Sequence, residues 1–271
     1  MNLYDISPNT PYYRFSTRKY SEKNIDIDSL KEYSKNIIPL FDRNAFKIVL
    51  IPREESFLKE LKGIVGNYGK IDAPYYGIVY STQKNKQNFL QAGFLMEQLV
   101  LKATEINIQS CYIGSKMSDK LLSEYVDNSK LWQPMIIVAF GKAKQMPKEI
   151  VRKGKTRNDI CSYIYKEKKK RLDLGFDCIM QAPSAMNLRP YLFVVRGKYI
   201  DCYVKKQILG SISKQYNNLK YIDLGIALLH FYLGIGTQLE IETCNVEKIK
   251  GNEYMFSLLI DKMWKKHVMN L

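Results

Sequence analysis

Two long apolar segments with helical spacing constrain this chain more than any other feature. Residues 91–106 set Phe94, Leu95, Leu99, Leu101, Ala103 and Ile106 close to helical spacing, with a broad buried face. Residues 223–238 read as a second apolar helix. The two invite an internal comparison. When Asn107-Ile108-Gln109-Ser110-Cys111 is set against Glu240-Ile241-Glu242-Thr243-Cys244, the preceding helices align without a gap. Thr104 then falls on Thr237, Ile108 on Ile241 and Cys111 on Cys244. An apolar strand follows each helix within about 25 residues, an ordinary spacing for α/β units. The expectation is a degenerate duplication.

Other segments complete a mixed α and β pattern. Residues 45–51 form a β-branched apolar run closed by Pro52, residues 74–80 a second strand, and residues 135–140 a third that ends at Gly141. In the later half, residues 191–195 and 256–260 read as strands, and residues 174–180 as a short apolar helix. The predicted halves are 1–165 and 166–271, joined at the cationic run Lys166-Glu167-Lys168-Lys169-Lys170-Arg171. Such a run is usually a solvated helix face or connection.

Composition narrows the function classes. The chain of 271 residues is 46% hydrophobic and 12% aromatic, enough for a sizeable core and contrary to general disorder. No stretch reaches the roughly 18 consecutive apolar residues of a membrane helix. Met1-Asn2-Leu3-Tyr4-Asp5 has no basic region leading into an apolar core, so a cytoplasmic enzyme without membrane contact is expected. Five scattered cysteines, with no Cys-x-x-Cys pair, and two histidines argue against a disulfide framework and a metal centre. Cys111 and Cys244 lie in apolar surroundings and read as buried, inert thiols.

The net charge of +15 implies attraction to anions without specifying which. Between residues 142 and 171, twelve Lys/Arg face Glu149, Asp159 and Glu167. Nucleic acid, a phosphate-bearing cofactor or a solvated surface would each suit this excess. A zinc finger or an aromatic RNA-binding signature is missing, so no nucleic-acid partner is expected.

Two motifs carry chemistry. The first is Tyr13-Arg14-Phe15-Ser16-Thr17-Arg18-Lys19-Tyr20, in which two arginines flank a serine. Arginine makes bidentate, charge-assisted bonds to phosphate, and a serine hydroxyl adds a donor. The second is Gln181-Ala182-Pro183-Ser184-Ala185-Met186-Asn187-Leu188-Arg189-Pro190-Tyr191, a turn between a helix and a strand. Such a turn exposes backbone polar groups beside short polar side chains, which suits the edge of a flat heterocycle.

Together these segments resemble the nitroreductase-like FMN-dependent oxidoreductases. The first resembles that family's Arg-Arg-Ser-x-Arg-Lys-Tyr/Phe, and residues 182–191 resemble its Ala-Pro-Ser-x-x-Asn-x-Gln-Pro-Trp. Asn107-Ile108-Gln109-Ser110-Cys111-Tyr112-Ile113-Gly114 resembles Gly-Leu-Gly-x-Cys-Trp-x-Gly after a helix. Phe15 stands for the second arginine, Arg189 for the glutamine and Tyr191 for the tryptophan. Motif order is also altered. Ordinary members carry both site motifs close together, and two identical chains share them across two sites. Here the arginine motif lies only in the first half and the Pro-Ser-x-x-Asn motif only in the second.

The resemblance therefore implies an α+β nitroreductase-like fold of two tandem degenerate halves, an intrachain pseudo-dimer around mixed sheets with one FMN. It implies Arg14, Ser16 and Arg18 at the FMN phosphate and ribityl chain, with Lys155 and Arg157 as a late basic pair also facing the phosphate. It places Pro183, Ser184 and Asn187 at the ring and ribityl hydroxyls, and the backbone of Ile113 and Gly114 near the flavin N5. Tyr68 is expected as a wall of the substrate pocket. NAD(P)H would be the reductant, and a nitroaromatic, quinone or similar small molecule the acceptor. No catalytic side chain and no metal are implied, because the cofactor carries the difficult chemistry. A monomer acting as a pseudo-dimer is expected, with room for further association. A flavin-binding protein without turnover and a basic nucleic-acid-binding protein are the competing readings.

Overall fold

The computed structural model describes residues 4–41, 45–60, 71–114, 124–126, 131–164, 170–206 and 214–260. The chain forms two compact units, one of Asn9–Val151 and one of Met1–Pro8 with Arg152–Leu271.

The Asn9–Val151 unit carries α1 (Thr10–Tyr13), α2 (Ile27–Lys35), β1 (Phe46–Pro52), α3 (Glu55–Glu60), β2 (Tyr75–Ser81), α4 (Lys86–Glu105), β3 (Gln109–Ile113) and β4 (Gln133–Gly141). Its sheet is antiparallel in the order β1-β2-β4-β3. Asn85 caps α4, its side chain accepting from the Asn88 N–H at 2.8 Å. Every residue of α4 from 89 to 101 is buried, so this helix is enclosed on all sides. Enclosure demands partners for its polar side chains. Gln91 accepts from the Phe41 N–H at 2.6 Å, and Gln98 exchanges bonds with the backbone of Ile38 at 2.6 and 3.1 Å. Tyr76, Ile78 and Tyr80 alternate onto one face of β2 and join Ile113, Ile137, Ala139 and Phe57 in one apolar cluster. Gly77 points the other way, where an added Cβ would lie 2.8 Å from the Phe140 ring and 3.5 Å from the end of Met96 in α4.

The other unit carries α5 (Arg157–Ile160), β5 (Cys161–Tyr163), α6 (Lys170–Ile179), β6 (Tyr191–Arg196), β7 (Tyr199–Lys205), α7 (Lys214–Ile235), β8 (Glu240–Glu242) and β9 (Asn252–Leu259). Its sheet runs β5-β6-β7-β9-β8, with β5 parallel to β6 and the rest antiparallel. Residues 220–233 of α7 are all buried, making it this unit's enclosed helix. Phe176, Phe193 and Phe231 cluster between α6, β6 and α7, with centroids 5.2 to 6.4 Å apart.

One path recurs: strand, strand, enclosed helix, strand, strand, with sheet orders β1-β2-β4-β3 and β6-β7-β9-β8. Both enclosed helices also end alike. The Ile108 N–H bonds the Ala103 carbonyl and the Asn107 N–H that of Thr104; likewise Thr237 bonds Tyr232 and Gly236 bonds Leu233. Asn107 and Gly236 both take positive φ there, 59° and 70°. This hinge equates Ile108 with Thr237, whereas the gapless sequence match equated it with Ile241. The difference is about one helical turn, which leaves the same faces apolar and explains why periodicity permits both. Cys111 is buried as expected, but Cys244 is only half-buried.

The boundary between units falls at Val151/Arg152, ahead of the 165/166 division expected from the cationic run. Residues before that run already belong with the later strands, because β5 pairs with β6. Of the run itself, residues 166–169 lie outside the described residues, and Lys170 and Arg171 open α6.

Helices α6 and α7 pack closely. A Cβ on Gly234 would fall 2.5 Å from the Leu174 carbonyl oxygen, and one on Gly175 2.6 Å from the Phe231 ring. Gly234→Ala should therefore force the helices apart and lower stability by about 1–3 kcal/mol. A urea unfolding midpoint equal to that of the parent protein would contradict this packing.

Candidate functional site

The arginine motif is fastened to the end of the β1-β2-β4-β3 sheet. Ser16 bridges Ser110 in parallel, Thr17 donates its N–H to the Ser110 carbonyl at 3.2 Å, and Ser21 donates to Lys142 at 2.8 Å. That pairing sets the motif beside β3, whose last residue is Ile113. Ile113 is buried, while Gly114 is exposed, and among the described residues a Cβ there would meet nothing within 4 Å.

The three phosphate candidates are not equivalent. Ser16 and Arg18 are exposed, but Arg14 is only 4% exposed. Arg14 faces the wholly buried Glu97 of α4, Nε to Oε1 at 4.0 Å, and donates from Nη1 to the Ser16 hydroxyl at 3.3 Å. Tyr112 donates its hydroxyl to the other Glu97 oxygen at 2.7 Å. Glu97 thus balances a buried arginine and is itself held in place. Burial pushes the Cys111 thiol up, against the opposing pull of Arg18 and Arg14. Glu97 was missed in sequence; its only signal is a lone acid inside an apolar helical run.

The Pro-Ser-x-x-Asn turn is built under strain. Met186, Asn187 and Arg189 hold φ of 53°, 57° and 41°. For residues with a Cβ this region costs about 1–2 kcal/mol each. The surroundings hold the turn in several ways. Ser184 accepts the Arg189 N–H at 3.0 Å, and the Asn187 and Leu188 N–H groups close local bonds to Ser184 and Ala185 at 3.0 Å. From α7, Asp223 accepts the Ala185 N–H on both oxygens, at 3.0 and 3.1 Å. Pro183 and Ser184 are half-buried, while Met186 and Asn187 are exposed.

Arg189, in the glutamine's position, points inward. Only 3% exposed, it donates to the carbonyls of Lys153, Lys155 and Met180 at 3.0, 2.6 and 2.9 Å. It pins the 152–155 segment onto the turn. Lys155 completes the contact by donating to the Arg189 carbonyl at 2.7 Å. Burial, with Lys205 and Arg189 close by, lowers the Lys155 ammonium to about 8. Its expected companion Arg157 turns elsewhere, pairing with Asp173 and with Asp177 and lying over the Phe176 ring. Tyr191, in the tryptophan's position, is buried against Phe193 at 5.8 Å. Tyr68 lies outside the described residues.

Gly154 allows this packing. Its φ is 106°, and a Cβ would collide with the Asn187 carbonyl oxygen and lie 3.1 Å from Arg189 Nη1. Gly154→Ala should cost at least about 1–3 kcal/mol and loosen the turn. Unchanged thermal stability with unchanged proteolysis of the 181–189 segment would contradict that.

Asp223 supplies a pH signature. Burial raises its carboxyl from the ordinary 3.8 to about 8, opposed by the Ala185 N–H. The native state therefore favours the protonated acid. This contribution is complete below about pH 4 and drains away as pH rises through about 8. Asp223→Asn has no such proton to lose, so its stability relative to the parent protein should improve across that window. A difference that stays flat from pH 4 to pH 8.5 would contradict the buried acid.

A "putative nitroreductase" from Thermotoga maritima MSB8 superposes with a TM-score of 0.63 at 18% identity, over 96% of this chain and 94% of that one. A nitroreductase with bound FMN from Desulfitobacterium hafniense DCB-2 aligns with a TM-score of 0.47 at 16% identity, over 58% of this chain and 97% of that one. The sequence matches none of the curated proteins compared with it. The first superposition shows a mixed α+β nitroreductase fold. The family model described as "Putative TM nitroreductase" matches residues 11–235, and the chain belongs to that family.

Proposed function

We propose that this protein binds one FMN and uses it for NAD(P)H-dependent, two-electron reduction of nitroaromatics, quinones or similar small acceptors. The observation that carries the proposal is the strained turn at Pro183, Ser184 and Asn187. A chain keeps three non-glycine residues in the left-handed region only where surrounding structure enforces them, and such sites cluster at ligand clamps. Membership of a nitroreductase family makes a flavin the natural ligand.

Each unit by itself offers groups whose chemistry would suit part of an FMN. Exposed Ser16 and Arg18 offer a hydroxyl and a cation on a backbone segment fixed by Ser110. Arg14 supports them from inside with its charge matched by Glu97. Lys155 adds a positive group beside the turn, while Arg157 serves as a strut to α6. Pro183, Ser184 and Asn187 would hold the ring and the ribityl hydroxyls. The backbone of Ile113 and Gly114 would lie near the ring, with no described residue within 4 Å of a Cβ at Gly114.

When bound, FMN supplies hydride acceptance and donation. The chain's own work is to hold the phosphate, orient the ring and set positive charge where a reduced flavin carries negative charge. One site per chain follows from the motif distribution, since each half lacks the motif that the other retains. We further propose that the protein acts in the cytoplasm without needing a second chain; among the described residues no helix is long and apolar enough to cross a membrane.

The purified protein should show flavin absorbance or acquire it with added FMN, and should oxidise NADH or NADPH in the presence of menadione or a nitrofuran. Arg18→Ala should weaken FMN binding about ten-fold or more, the loss expected for one charge-assisted bond. A colourless protein that takes up no FMN would refute the proposal. A bound flavin reduced by neither nucleotide would leave a flavin-binding protein without turnover.

A further inference from the structure

We propose that the Asp223 carboxyl, reaching from the enclosed helix α7 to the Ala185 amide, is the positioning group for the Pro-Ser-x-x-Asn turn. The role in flavin affinity rests on the reading that this turn contacts FMN; the mechanical role does not.

Asp223 is out of place by composition. Its neighbours on α7, Ile222, Leu224, Ile226 and Ala227, are apolar and buried, and Asp223 itself is 3% exposed. A carboxyl in such a position is disfavoured unless it does something an apolar side chain cannot. Its hydrogen bonds among the described residues go to one donor, the Ala185 N–H, received on both oxygens. That amide lies between Ser184 and the strained pair Met186 and Asn187.

Among the described residues, the other bonds of the turn do not link it to the helix. Ser184 Oγ, the Ser184 carbonyl and the Ala185 carbonyl receive bonds from Arg189, Asn187 and Leu188, all within the turn. Arg189 joins the turn to the 153–155 segment and to Met180. Among the described residues, Asp223 alone ties it by a side-chain hydrogen bond to α7, the enclosed helix of its unit. A strained loop anchored to a mobile neighbour would relax; one anchored to a rigid helix keeps its geometry before any ligand arrives. Asp223 therefore positions the backbone that faces the cofactor without touching the cofactor.

The test compares Asp223→Asn, which retains an acceptor oxygen, with Asp223→Ala and Asp223→Leu, which remove it. Amide hydrogen exchange is measured across residues 182–189 in flavin-free protein, with FMN affinity measured separately by fluorescence titration. In the Ala and Leu variants, exchange at residues 185–188 should accelerate about ten-fold or more while residues 224–233 stay protected. Their FMN affinity should fall by a similar factor, and Asp223→Asn should restore both towards the parent values. The proposal is overturned if the turn exchanges at the parent rate without the carboxyl, or if Asn is as impaired as Ala. It is also overturned if both Ala and Leu variants lose the whole fold, which would make Asp223 a residue of global stability. Faster turn exchange in a protein that binds no FMN would uphold the anchor and refute the flavin reading.

Discussion

Enclosure of α4 and α7 is the constraint from which the remaining architecture follows. A helix buried on every side cannot be covered by one sheet face, so further helices or loops must pack around it. In the Asn9–Val151 unit, the 37–41 segment is drawn onto α4 by Gln91 and Gln98. In the other unit, α6 packs onto α7 through Gly175 and Gly234, where no side chain would fit. Burial also raises the stakes for every polar group on these helices, because an unmatched one costs far more there than at a surface.

Those buried polar groups connect fold to chemistry. Glu97 on α4 balances Arg14 at the root of the arginine motif, and Asp223 on α7 holds the Ala185 amide in the Pro-Ser-x-x-Asn turn. In each unit the most enclosed helix presents one acid to the segment that carries the candidate ligand contacts. A buried polar group is tolerated when its partner is fixed, as a charge beside Arg14 or as a carboxyl on the Ala185 amide, and a fixed partner is what a preorganised binding segment needs. Arg189 extends the same logic. In the position of the family's glutamine, it bonds three carbonyls and pins the Lys155 segment to the turn.

Much of this was legible in the residues, and the misses have physical causes. Strands rich in β-branched residues, such as β1 and β4, announce themselves by composition. β7 does not, because Asp201 interrupts it. That acid is accommodated by Arg196 on β6, at 2.9 and 3.2 Å, and Ser257 on β9, at 2.6 Å. Arg196 stands 5 residues back but across the β6–β7 turn, and Ser257 lies 56 residues on, so no local periodicity pairs either of them with Asp201. Glu97 and Asp223 were overlooked for the same reason. An isolated acid in an apolar helix looks like a solvent-facing interruption until its distant partner is known.

Local chemistry by itself determined the element types of the long apolar segments, the two motifs and the family they resemble. Periodicity and turn residues act over a few neighbours, and those neighbours are in the sequence. Only the tertiary structure decided that Arg14 is buried against Glu97 while Arg18 is exposed, and that Arg189 points inward. It also decided that Arg157 pairs with α6, and that the hinge after the enclosed helix equates Ile108 with Thr237 rather than Ile241. Each depends on which distant backbone or charge a side chain meets, and spacing along the chain carries no information about that.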